Sequence, residues 1–267
     1  MKAKPWSSPK TTERALALLE DLGGLDWKRA RVADVGAGRG WFSRVLSERL
    51  RATEGLDPRE HVFPCDAAPE SFEVEELVCV RTGVGGRLPF EDASLDAAVS
   101  LEVIEHVEDQ LGFLKEIARI VKPGGLVIVS TPNVLSLTSR VRTLLWGFPE
   151  LYDPLPLAGG DPRCLSGHIH PIAPYFLAHA ALRAGLVDPP LHSDRTKRSS
   201  ALYGVLLAPA LFLAQLSHRS RLARKHPDVL EANRGLIGEQ SGWKMLTSRT
   251  TILSARTRDS GRNGAPR

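Results

Sequence analysis

Cysteine is scarce in this sequence. Cys65, Cys79 and Cys164 are too few and too scattered for a disulfide framework or a zinc site, which points to a reducing, cytoplasmic setting. A secretory leader is not expected either. The opening MKAKPWSSPK has basic character, but no apolar stretch follows it. Internal repeats are missing. Basic residues are not interleaved with aromatics as in an RNA-binding module, so no nucleic-acid partner is expected. No His/Cys/Asp spacing suggests a metal, and none is expected.

What is present is ordinary globular material. Apolar residues make up 42% and charged residues 25%, enough for a buried core. The 267 residues allow one large α/β domain, taken as 1–256, with a short disordered tail at 257–267. Charge is uneven. Residues 191–267 carry 14 Lys and Arg against 5 Asp and Glu, although the whole chain is only +4. The body is therefore acidic. The basic region is either a solvated face or one that meets something anionic, such as a membrane surface.

Short, wholly apolar runs alternate with helical patterns. Strands are predicted at Arg31–Val35, His61–Cys65, Leu77–Arg81, Leu95–Leu101 and Leu126–Ser130. Helices are predicted at Thr12–Leu22, Trp41–Leu50, Asp109–Val121 and Pro174–Ala184. The third of these has Leu111, Leu114, Ile117, Ala118 and Val121 as its apolar face. Runs of this kind form parallel sheets covered on both faces. The sixth strand, Gly185–His192, holds two prolines and suits an edge. Thr250–Ala255 is the last. The fold class is thus a doubly wound, mostly parallel, seven-stranded Rossmann-like sheet with helices on both faces and a helical insertion, 194–245, before the final strand. Residues 134–172, with a Pro/Gly-rich loop, form a lid region over the substrate.

The most informative segment is Asp34-Val35-Gly36-Ala37-Gly38-Arg39-Gly40, between a strand and a helix. Glycines there let the backbone turn tightly and approach a ligand. A dinucleotide phosphate loop would need glycine at 41, where Trp41 stands. This segment resembles the first motif of class I S-adenosylmethionine-dependent methyltransferases. Further matches follow in order: LPFEDASLD at 88–96, LEVIEHV at 101–107 and EIARIVKPGG at 116–125. The four span about residues 31–133. The segment Ser166-Gly167-His168-Ile169-His170-Pro171 is similar to one in bacterial members, including sugar and small-molecule methylating enzymes.

The resemblance implies S-adenosylmethionine as cofactor. Asp34, Gly36, Ala37, Gly38 and Gly40 would shape its methionine and ribose site, and Asp66 would accept both ribose hydroxyls. A loop-capping role is the alternative for Asp66. Ser100, Leu101 and Glu102 would lie near the sulfonium, and His106 would be structural. Where members often carry an Asp for the adenine amino group, this chain has Val84. His168 and His170 are the candidate catalytic bases for a hydroxyl acceptor, with Asp153 and Asp161 as weaker ones; surface or capping roles are the alternative. The Asn/Asp-Pro-Pro-Tyr/Phe run of base-amine methylating enzymes is missing.

The function implied is methylation, O-directed, of a small-molecule, sugar or lipid-linked acceptor. The rivals are a quinone or lipid methyltransferase of the same fold and a cofactor-binding regulator without turnover; a dehydrogenase is remote. One segment stands apart. Ala201–Leu216, ALYGVLLAPALFLAQL, is nearly all apolar and has Arg195, Lys197 and Arg198 before it and Arg219, Arg221, Arg224 and Lys225 after it. Sixteen residues are short for a spanning helix, which needs ~20. It is either a helix lying in a membrane interface at the inner face, or a buried helix capping the pocket or a dimer surface.

Overall fold

The computed structural model describes residues 8–83, 85–156 and 167–259. Five strands run parallel: β1 (Val32–Val35), β2 (Val62–Asp66), β3 (Val80–Arg81), β4 (Leu95–Leu101) and β5 (Val121–Pro132). Three more complete the sheet: β6 (Leu186–Val187), β7 (Leu191–Ser193) and β8 (Thr250–Thr257). The order is β3-β2-β1-β4-β5-β8-β6, with β7 also on β8, and β8 is antiparallel to its neighbours.

The sheet therefore has eight strands where seven are predicted. The sixth predicted strand is divided by Asp188-Pro189-Pro190. Prolines supply no ladder donor, and Asp188 turns the chain with a φ of 47°. Both pieces sit on the edge, as expected. The last strand runs on through Thr257, so residue 257 belongs to the sheet and not to a tail.

Helices cover both faces because the strands are apolar on both. Val32, Ala97, Val99, Leu126 and Ile128 pack with Ala15, Leu16 and Leu19 of α1 (Pro9–Gly23) and with Phe42, Leu46 and Leu50 of α2 (Trp41–Glu54). The alternate residues Ala33, Ala98, Val127 and Val129 pack with α3 (Gln110–Ile120). The buried face of α3 is Phe113, Leu114, Ile117 and Ile120. It overlaps the predicted one: Leu114 and Ile117 are in both, Ala118 packs against the same core and Val121 is buried at the start of β5. Phe113 and Ile120 are buried in place of Leu111, a choice that docking makes.

After β5 come α4 (Leu137–Trp146) and α5 (Pro174–Arg183). The insertion is helical: α6 (Arg198–Lys225), α7 (Pro227–Ala232), α8 (Arg234–Ser241) and α9 (Trp243–Thr247). The 28 residues of α6 outrun the apolar segment, since the basic stretch behind it continues the helix, which also runs unbroken through Pro209. Its N-terminal part is tied down. Thr138 of α4 hydrogen-bonds Ser199 and Ser200, Lys197 pairs with Glu150, and Gly204 seats against Trp243, where a Cβ would lie 2.4 Å from the ring.

Beyond Gly204 the helix is not buried. Val205 is 69% and Phe212 67% exposed, and Leu206, Leu213 and Leu216 are exposed with them. The reading of a helix buried within one chain is thereby corrected. The fully buried positions of the stripe turned toward the body are Ser200 and Gly204; Leu211 and Gln215 are half-buried, Gln215 donating to the Ser241 carbonyl, and the apolar residues between Leu211 and Gln215 are exposed. The free end of α4 adds Leu144, Leu145 and Trp146, also exposed.

Candidate functional site

Strand order reverses at β1, which lies between β2 and β4. Open α/β sheets hold ligands at such a point, outside the carboxyl ends of the strands. A cavity of about 490 Å³ lies there. One part of its lining is Asp34, Gly36, Ala37 and Gly38, followed by Arg39, Trp41 and Phe42. The other is Leu101, Glu102, His106 and His168.

The glycine loop is built by contacts on both sides. The Gly36 and Ala37 N–H groups donate to the Cys65 carbonyl of β2, at 2.8 and 3.1 Å. Gly36 has a φ of +77°, and a Cβ there would lie 2.4 Å from Val103 Cγ2. Only glycine lets the loops after β1 and β4 approach this closely. Asp34 is buried, and its Oδ2 accepts from Ser43 N at 3.2 Å and Ser43 Oγ at 2.6 Å, which fixes the first turn of α2. Burial pushes its carboxyl up to about 7. Gly40 is the N-cap residue of α2 and does not line the cavity.

Asp66 ends β2. Its Oδ2 accepts from Gly38 N and its Oδ1 from Ala68 N, both at 2.8 Å. It thus braces the glycine loop and is not among the lining residues. Ser100 is buried in β4 and is not among the residues lining the cavity, whereas Leu101 and Glu102 are. Glu102 has a φ of +57°, a conformation that strains a side-chain-bearing residue by roughly 1–3 kcal/mol. It is held by Arg249 Nη1, 2.6 Å from its Oε1, and by Thr250 Oγ1 at 3.2 Å.

The histidines separate. His168 lines the cavity, its ring centroid 4.7 Å from that of His106 and 5.2 Å from that of Tyr152. Burial, with the neighbouring His106, lowers its pKa to about 4. His170 is exposed, turns its Nδ1 to the Val107 carbonyl at 2.9 Å and does not reach the cavity. Residues 167–170 are laced to the turn after β4: Ile169 N and His170 N donate to the Glu105 carbonyl, and His106 Nδ1 lies 2.9 Å from the Gly167 carbonyl. Asp153 pairs with Arg142 on the surface. Asp161, Ser166 and Val84 lie outside the described residues.

Arg249, Tyr152, Trp41 and the buried Glu105 are site residues that sequence reasoning missed. For Arg249 no local signal exists, because its partner Glu102 is on a distant strand end. Glu105 stands beside His106 in a stretch read only for resemblance, where its burial could not be seen.

A family model for a methyltransferase domain matches residues 10–188. The chain belongs to the class I S-adenosylmethionine-dependent methyltransferases. This methyltransferase is 35% identical over 146 residues to a Mycolicibacterium smegmatis protein named a probable S-adenosylmethionine-dependent methyltransferase, covering 52% of the chain and 55% of that protein. It is 35% identical over 113 residues to a ubiquinone biosynthesis O-methyltransferase of Alkalilimnicola ehrlichii, covering 42% and 44%. The chain spans about half the length of the curated relatives it matches. The fold is shared with an Archaeoglobus fulgidus S-adenosylmethionine-dependent methyltransferase, at a TM-score of 0.52 and 15% identity over 92% of this chain and 94% of that one. The site fits the cofactor: the glycine loop lines the cavity at the strand ends, where an adenosyl group is held.

Proposed function

We propose that this methyltransferase moves the methyl of S-adenosylmethionine to a hydroxyl of a small, sugar or lipid-linked acceptor. The observation that carries this is one cavity lined by the glycine loop on one stretch and by the imidazoles of His106 and His168 on the other. When bound, S-adenosylmethionine supplies a methyl already activated on a sulfonium. The chain has to orient the acceptor and exclude water. The strained Glu102, pinned by Arg249, fixes the wall between the two ends of the cavity. His168, held by the lacing of 167–170 to the turn after β4, is placed to receive the acceptor's proton. With methyl-labelled S-adenosylmethionine, label should enter phenolic or sugar hydroxyls and S-adenosylhomocysteine should accumulate. Label confined to amines overturns the O-directed reading. Tight S-adenosylhomocysteine binding with no transfer to any acceptor favours a regulatory protein.

A lipid-linked acceptor is the narrower reading, and exposed α6 favours it. Nearly all of its apolar stretch lies on the outside of the fold. Leu144, Leu145 and Trp146 of the neighbouring α4 are exposed too, and Arg219, Arg221, Arg224 and Lys225 follow the apolar stretch. That composition suits a helix lying in an anionic interface with its apolar residues below the headgroups. The loop after α4 joins this surface to the site, since Glu150 pairs with Lys197 while Tyr152 packs on His168. Some of the relatives are named for O-methylation in ubiquinone biosynthesis. Each basic residue near the surface adds ~1 kcal/mol, screened by salt. The chain should therefore sediment with anionic vesicles at low salt, less so at high salt, and less with Leu206→Ser and Phe212→Ser together. If it stays in the supernatant at low salt, the exposed face is a contact between protein chains.

A further inference from the structure

We propose that Glu105, His106 and His168 bind a divalent first-row metal ion at the acceptor end of the cavity. One ligand atom from each lies within 4.8 Å of the others. Ligands about 2.1 Å from such an ion sit ~3–4 Å apart, so a small contraction closes the set.

Two observations independent of this proximity point to a ligand. Glu105 is fully buried, yet among the described residues neither of its carboxylate oxygens has a hydrogen-bond partner. A buried carboxyl left so is costly unless something fills the position. His168 Nδ1 is likewise buried and without a partner among the described residues. His106, in contrast, has its Nδ1 2.9 Å from the Gly167 carbonyl. A carbonyl can only accept, so Nδ1 carries the hydrogen and Nε2 keeps a free lone pair. Metal-ligating histidines are oriented in this way, by a backbone carbonyl on the other nitrogen.

The chemistry of the set selects the ion. Two imidazoles and one carboxylate suit zinc, manganese or iron(II), and disfavour magnesium and calcium, which take oxygen ligands. Glu102 is not one of the set, and its Oε1 is taken by Arg249 and Thr250. Three protein ligands leave coordination positions open, as in catalytic sites. His106 and His168 line the cavity, so those positions can meet an acceptor there. The ion would take the acceptor hydroxyl oxygen and acidify it. With His168 engaged as a ligand, the ion takes over the part given above to its imidazole as base: the O–H bond breaks and its proton passes to water. The oxygen then forms a bond to the methyl carbon as the C–S bond breaks, and that electron pair returns to sulfur. This role rests on the transfer reading above, whereas occupancy of the site does not.

Occupancy is measured without donor or acceptor. The chelator-treated chain is titrated with Co²⁺ and followed by visible absorption and equilibrium dialysis. One equivalent should bind with a mixed nitrogen–oxygen spectrum. His168→Ala and Glu105→Gln should each weaken binding at least ~10-fold, and His218→Ala, on the exposed part of α6, should leave it unchanged. Calorimetry with S-adenosylhomocysteine shows whether each variant keeps its cavity. Two results overturn the site: no Co²⁺, Zn²⁺ or Mn²⁺ retained by wild type, or retention equal in wild type and in variants that still bind S-adenosylhomocysteine. Retention of metal by wild type, lost in the variants, with no methyl transfer to any hydroxyl, keeps the site and removes the O-directed reading.

Discussion

Gly38→Val abolishes binding of S-adenosylhomocysteine, with Kd rising at least ~100-fold, or about 3 kcal/mol. Gly38 lines the cavity and has a φ of +52°. A β-branched residue there is strained, and its methyl groups would stand in the space the ligand needs. The Gly38 N–H, which donates to Asp66 Oδ2, would also be drawn off line. Isothermal calorimetry measures the effect, with circular dichroism to show that the sheet persists. Wild-type affinity in this variant would mean that the cofactor does not pass over this loop.

The second large effect is expected from Asp66→Ala, which should weaken cofactor binding by roughly 1.5–3 kcal/mol, about 10–100-fold. Two causes contribute, and they can be separated. Asp66 braces the Gly38 and Ala68 N–H groups, and its carboxylate oxygens keep lone pairs that ribose hydroxyls could use. Asp66→Asn preserves an acceptor for one N–H but not the charge. A 2′-deoxy analogue of S-adenosylhomocysteine should lose affinity for wild type and lose little further for Asp66→Ala. If the deoxy analogue loses equally in both, Asp66 serves the loop alone.

The glycine loop and the strand rhythm were legible in the sequence because both are local. Asp34-Val35-Gly36-Ala37-Gly38-Arg39-Gly40 carries its meaning in seven consecutive residues, and the central strands are continuous apolar runs whose burial on both faces needs no partner to be recognised. The face of α3 was less legible at its edges, because Leu111 competes with Phe113 and Ile120 for the same 3.6-residue spacing. Composition marked the apolar stretch of α6, but not whether it would be covered.

By itself, then, the sequence determined the wound sheet, the position of its glycine loop and the presence of an apolar segment flanked by basic residues. The tertiary structure decided the rest. It separated His168 from His170, two residues apart in the chain, by lacing the backbone between them to the Glu105 carbonyl, so that one ring faces the cavity and the other the outside. It brought Arg249 to Glu102, joined His168 to Glu105 and His106, and left α6 uncovered beyond Gly204. Each of these depends on contacts between segments far apart in the chain, and spacing along the sequence holds no record of which distant surfaces packing will bring together.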